Sequence, residues 1–156
     1  MRLKHRFFWI ATVAGFLLDQ LTKYWVIQTF DLRETRPLIV GIFHLTYVTN
    51  TGAAFSIFTG KVEWLRWLSL AVSLGLITLA CFGPSLNHWE QWGYGLILSG
   101  AMGNGIDRFA LGHVTDFLDF RLINFPVFNL ADVFINMGIV CLLISVFGKP
   151  PNNQNR

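Results

Sequence analysis

Charge is what this sequence has least of. Charged residues make up 13% of the 156, against about 25% in ordinary soluble domains. A small soluble domain with an oversized core fits that figure poorly. Cysteine is scarce too: Cys81 and Cys141 both lie inside apolar runs, and their spacing supports neither a disulfide nor a metal site. Both are expected as buried, inert thiols. No Gly-x-Ser-x-Gly is present, and His5, His44, His88 and His113 have no triad context, which argues against a serine hydrolase. No His-Glu-x-x-His is present either, so a zinc-protease route has no support and no metal or other cofactor is expected. No basic cluster alternates with exposed aromatics, so nucleic acid is not an expected partner. There is no internal repeat and no low-complexity segment.

Apolar residues are abundant, at 53%, with 15 Phe and 6 Trp. An integral membrane protein is the natural reading, and 156 residues allow one compact unit. Crossing hydrocarbon takes roughly 20 residues. The runs predict four spans, at 7–28, 64–82, 92–111 and 131–148. Residues 1–150 would form one integral membrane domain, with 151–156 a polar, disordered tail. Arg2, Lys4 and Arg6 ahead of the first apolar run resemble a secretory signal, but Asp19 and Lys23 follow without a small-residue cleavage site. The reading is therefore a retained first span. Trp9, Trp25, Trp64, Trp67, Trp89 and Trp92 fall near span ends, as an interfacial belt requires. Within 29–61, loose alternation puts Phe43, Leu45 and Tyr47 on one face and predicts a short surface strand or hairpin, followed by turn chemistry at Asn50-Thr51-Gly52. Another strand is expected around 117–123. The fold class is thus an all-α membrane protein of four transmembrane helices, with a small β-sheet or hairpin and a surface segment on the outer face. Four spans put both termini on one side, and the basic N-terminus suggests the cytoplasm, although Arg33, Arg36 and Lys61 lie in the opposite loop.

The few charges are not spread evenly. Of the nine acids, Asp107, Asp116, Asp119 and Asp132 share one short stretch between apolar runs. Carboxylates so placed are costly and suggest use. Counting from the start of the first span, Asp19 and Lys23 lie about 18 and 24 Å in. Asn104 and Arg108 lie equally far into the third span, and Asp116 and Asp132 enter from that same side. All of these groups should converge at one membrane surface. Asp19 and Lys23, at i and i+4, can form an ion pair. Gly100, Gly103 and Gly105 would let other backbones approach the third span. Asp107 is expected to serve Arg108 or the helix end. Asp132 can be read as a helix-start carboxylate with Asn129 as cap, or as half of a catalytic pair with Asp116. Two close carboxylates share a proton, so one can take a proton from water while the other donates to a carbonyl oxygen.

These motifs carry a resemblance. Asp19-Gln20-Leu21-Thr22-Lys23, Asn50-Thr51-Gly52-Ala53-Ala54-Phe55, Gly100-Ala101-Met102-Gly103-Asn104 with Asp107-Arg108, Val114-Thr115-Asp116-Phe117 and Phe128-Asn129-Leu130-Ala131-Asp132 occur in order along nearly the whole chain. The sequence resembles the lipoprotein signal peptidases, the bacterial type II signal peptidases. The resemblance implies a four-helix aspartic endopeptidase of the bacterial cytoplasmic (inner) membrane. Its substrates would be prolipoproteins carrying a diacylglyceryl cysteine, cut just before that cysteine. Asp116 and Asp132 would be catalytic. Asn50, Asn104, Arg108 and Asn129 would line the substrate and antibiotic site, with Asp19 and Lys23 in support. Gly52 with Ala53 and Ala54 would leave room for a substrate backbone. A sheet and surface helix from 29–61 would cover the site, and globomycin, a cyclic peptide, would inhibit. Membrane lipids are the surrounding partner and a monomer the expected state. Two rivals from other classes are a small transporter using Asp19, Lys23 and Arg108, and a Mg²⁺-dependent lipid phosphotransferase using the acids.

Overall fold

The computed structural model of the chain describes residues 5–52 and 61–148. Ala53, Ala54 and Phe55, the surface helix implied within 29–61 and the polar tail lie outside the described residues. The element order is α1 (Arg6–Thr29), β1 (Thr35–Ile39), β2 (Phe43–Asn50), α2 (Val62–Phe82), α3 (His88–Ala110), β3 (Val114–Phe120), a 3₁₀ turn (Arg121–Ile123) and α4 (Leu130–Phe147). The four helices match the four expected apolar runs. α3 begins four residues earlier than hydropathy suggests, because Asn87 and Glu90 form a capping box: Asn87 Oδ1 accepts from Glu90 N at 3.0 Å and Glu90 Oε2 from Asn87 N at 2.9 Å.

α3 is the central helix, and its glycines show why. A Cβ at Gly100 would strike the Ala131 carbonyl of α4, one at Gly103 the Asp19 carboxylate of α1, and one at Gly105 would lie 3.1 Å from Ser69 Cβ of α2. Three glycines thus admit three different neighbours. Phe8, Ala80 and Leu98 form the inner core where α1, α2 and α3 meet. The remaining helix surfaces are apolar and exposed, with Val13, Leu17, Leu21, Leu74, Val140 and Leu143 among them. An apolar surface of this extent is stable against hydrocarbon rather than water. Among the described residues, α2 and α4 are long and apolar enough to cross a membrane. α1 and α3 have the length, 24 and 23 residues, but carry ionisable groups.

The sheet is three-stranded and antiparallel in the order β1-β2-β3. β2 falls on the stretch where alternation suggested a strand, while β3 starts three residues before the strand expected at 117–123 and gives way at Arg121 to the 3₁₀ turn. β1 is the exposed edge, while β3 is largely buried. Val26 of α1 and Phe30, which caps it, pack with Phe117 of β3, fixing the sheet over the end of α1. A bulge between Leu45 and Val48 sets the register Val48↔Asp116 and Asn50↔Val114. Asn50 therefore stands diagonally beside Asp116 on one sheet face. The cysteines correct an expectation: Cys81 is exposed and Cys141 only half-buried. Apolar runs in this fold turn much of their surface outward, so an apolar neighbourhood in sequence does not imply burial.

Candidate active site

The capping box at the start of α4 builds one side of the site. Asn129 Oδ1 accepts from Asp132 N at 3.1 Å, and Asp132 Oδ2 accepts from Asn129 N at 3.3 Å. Because the Asp132 N–H can only donate, it fixes the Asn129 amide, whose Nδ2 must then face the other way. That nitrogen donates to Asp116 Oδ1 at 2.6 Å and to Asn104 Oδ1 at 3.1 Å. Asn104 is fixed by the same logic. Its Oδ1 accepts from Lys23 Nζ at 2.9 Å, which leaves Nδ2 to donate to Asp132 Oδ1 at 2.9 Å. Asn50 Nδ2 donates to Asp116 Oδ2 at 2.9 Å, while its own Oδ1 accepts from Gly52 N at 2.8 Å in a tight turn. Each carboxylate thus accepts two hydrogen bonds from neutral N–H groups. Among the described residues neither has an ion-pair partner.

Lys23 sits behind this layer. It is 2% exposed and bridges Asp19 at 2.9 Å and Asp107 at 3.0 Å. Gln20 Nε2 donates to both of those acids at 3.2 Å, and Asp19 Oδ1 accepts from Ala131 N at 2.9 Å. Asp107 also accepts from Thr115 N at 3.2 Å, next to Asp116 in β3. This corrects the expected role of Asp107: it serves Lys23 and β3, and among the described residues no ion pair joins it to Arg108. Arg108 instead donates to the carbonyls of Asn104 and Gly52, both at 3.2 Å, and to Ser69 Oγ at 3.4 Å. It anchors the turn at Gly52 to α3 and α2. Asp119 binds Thr46 at 2.6 Å and Arg121 at 2.8 Å on the sheet and does not line the cavity described below. Gln20 and Ser69 carry no sequence signal of their own beyond their neighbours.

Asp116 and Asp132 both open on one cavity of about 1320 Å³. Thr49, Asn50 and Thr51 line it beside the acids, and one face of α4 extends it to Ile144, with Trp89 also in its lining. Four acids here, Asp19, Asp107, Asp116 and Asp132, face two cations, Lys23 and Arg108. Burial first, and the charge of Asp132 second, push the Asp116 carboxyl up to about 7, against the opposing pull of the Asn50 and Asn129 bonds. Such a pair can hold one proton at neutral pH and act as acid and base at once. Among the described residues, no group of three or more His, Cys, Asp or Glu side chains is arranged to hold a metal ion.

All nine residues singled out in the sequence are brought together at this end of the bundle: Asp19, Lys23, Asn50, Gly52, Asn104, Arg108, Asp116, Asn129 and Asp132. A family model described as signal peptidase (SPase) II matches residues 11–148. The chain is 72% identical over 156 residues to a lipoprotein signal peptidase of Nostoc punctiforme, covering 100% of this chain and 99% of that one. It is 57% identical over 144 residues to one of Gloeobacter violaceus, covering 92% and 83%. It also superposes on a solved bacterial membrane enzyme, determined by the in meso method at 2.3 Å, with a TM-score of 0.85 and 28% identity over 94% of this chain and 91% of that one. This is a membrane protein, and it belongs to the signal peptidase II family.

Proposed function

We propose that the chain is an aspartic endopeptidase that removes the signal peptide of diacylglyceryl-modified prolipoproteins just before the lipidated cysteine. The observation that carries this reading is the carboxylate pair at the head of an apolar groove, each member held, among the described residues, by neutral donors. A water between Asp116 and Asp132 attacks the peptide carbonyl carbon. Asp132, ionised, takes the water proton, and Asp116 gives its proton to the carbonyl oxygen. In the collapse the gem-diol returns a proton to Asp116, Asp132 protonates the leaving nitrogen, and the C–N bond breaks. Asn129 and Asn104 hold the two acids in register throughout, and Gly52 with Arg108 frames the passage for the substrate backbone.

In this reading α1 to α4 each cross the cytoplasmic membrane as one monomeric domain, with both termini in the cytoplasm and the sheet at the outer surface. Asp19 and Lys23 of α1 and Asp107 of α3 support this placement, because they are paired inside the bundle rather than turned to lipid. A membrane-anchored substrate then reaches the groove by lateral diffusion. The test is a gel-shift assay on a lipidated prolipoprotein. The unmodified enzyme should cut it, globomycin should block the cut, and a chelator should have no effect. Inhibition by the chelator would favour the metal-dependent phosphotransferase reading, and near-normal cutting by Asp116→Asn or Asp132→Asn would remove that residue from the pair.

A further inference from the structure

The groove below the acids is apolar with one exception. The row Asp132, Asn136, Val140 and Ile144 runs down α4 at four-residue steps, and every member lines the cavity. Asn136 is exposed. Amides facing hydrocarbon are disfavoured unless they find a partner. Asn136 finds half of one: its Nδ2 donates to the Asp132 carbonyl at 2.8 Å. A carbonyl accepts only, so this bond fixes the amide and leaves Oδ1, among the described residues, as a free acceptor in the groove. Thr12, Thr22 and Thr78 make the same kind of bond to the carbonyl four residues back. That task therefore does not call for an amide.

We infer that Asn136 is a substrate-binding residue, whose Oδ1 accepts a backbone N–H of the signal peptide close to the cleaved bond. The inference rests on the peptidase reading above. The chemistry selects the partner. Oδ1 needs a donor, and the acyl esters of a lipidated cysteine offer acceptors only, whereas a peptide held extended for cleavage presents both unpaired N–H groups for Oδ1 and carbonyls for the second hydrogen of Nδ2. Distance selects the position. Four helical residues advance about 6 Å, and an extended peptide covers about 3.3 Å per residue. The partner N–H thus lies about two residues from the bond held between the acids. The groove continues inward along α4, so it lies on the signal-peptide side.

The experiment uses the full-length enzyme and lipidated prolipoprotein peptides. In separate substrates, each of the three amide N–H groups preceding the cleaved bond is replaced by an ester oxygen. One replacement should lower kcat/KM of the unmodified enzyme by about tenfold, mainly through KM, as expected for one lost hydrogen bond. Asn136→Leu should lose that factor on the all-amide peptide and be indifferent to the same ester. Asn136→Thr keeps a bond to the Asp132 carbonyl but draws its oxygen back against the helix, short of the peptide, and should behave like the leucine variant. Equal cleavage of the all-amide peptide by Asn136→Leu and the unmodified enzyme overturns the inference. So does a leucine variant that discriminates against every ester as strongly as the unmodified enzyme does. Failure of the unmodified enzyme to cut the all-amide peptide would instead strike at the peptidase reading itself.

Discussion

Two pairs of aspartates lie within one polar layer, and they are handled in opposite ways. Asp19 and Asp107 flank Lys23 in a sealed pocket, with Gln20 closing the remaining hydrogen bonds. Among the described residues, Asp116 and Asp132 receive amide N–H donors alone, and both line the cavity. A cation in direct contact offsets half the charge of the first pair and makes it a structural unit. Amides orient the second pair without neutralising it, so the burden of excess charge falls on a retained proton. That difference separates a brace from a candidate acid/base machine built from the same side chain.

The largest effect should come from removing that proton chemistry. Asp116→Asn or Asp132→Asn is expected to lower cleavage by at least about a thousandfold, read by gel shift, with little change in the melting temperature in detergent. An equal loss of activity and of thermal stability would erase the contrast between the two pairs. Lys23→Met should break the sealed pair. It strands two buried carboxylates, at a cost of about 3–5 kcal/mol, and should lower the melting temperature strongly. An unchanged melting temperature would mean that the brace carries no stability.

A smaller effect tests how closely the brace is packed. Gly103→Ala drives a Cβ into the Asp19 carboxylate. Overpacking of that kind costs about 1–3 kcal/mol, more than the helix propensity gained. Gly75→Ala in α2 meets nothing within 4 Å and should stabilise instead, by about 0.5–1 kcal/mol. The same sign for both substitutions in thermal melts would remove the argument that the α3 glycines are kept for close approach.

Much of this layer was legible in the sequence because two rules are strong. Hydropathy locates the apolar runs, and antiparallel alternation places Asp19, Lys23, Asn104, Arg108, Asp116 and Asp132 at one level. Pairing inside the layer was not legible. Asp107 adjoins Arg108 in sequence but lies on a different side of α3, where Lys23 reaches it. The role of Gln20 depends on that same packing. Exposure was misread at Cys81 because hydropathy does not distinguish a protein interior from a lipid-facing surface. The two readings of Asp132, helix-start acid and partner of Asp116, are compatible, because its two oxygens accept from the cap backbone and from Asn104 separately.

The finest test of the contrast is the pH profile. With Asp116 pushed up to about 7, its carboxyl holds a proton below that pH and loses it above. The proton is the one given to the substrate carbonyl, so kcat/KM should fall as pH rises through about 7, approaching tenfold per unit beyond it. The two acids titrate as a pair, and the limb belongs to the pair. Asn50 supplies a hydrogen bond that favours the ionised form of Asp116. Asn50→Ala removes it, the neutral form gains, and the alkaline limb should move to higher pH. Asp107→Asn, made in the sealed pair, removes a negative charge from the far side of Lys23. It leaves the hydrogen bonds on Asp116 in place, so the limb should move far less than in Asn50→Ala. A limb that moves equally in both variants would mean that the sealed and open pairs act as one electrostatic unit, and that direct amide contact is not what sets the proton on Asp116.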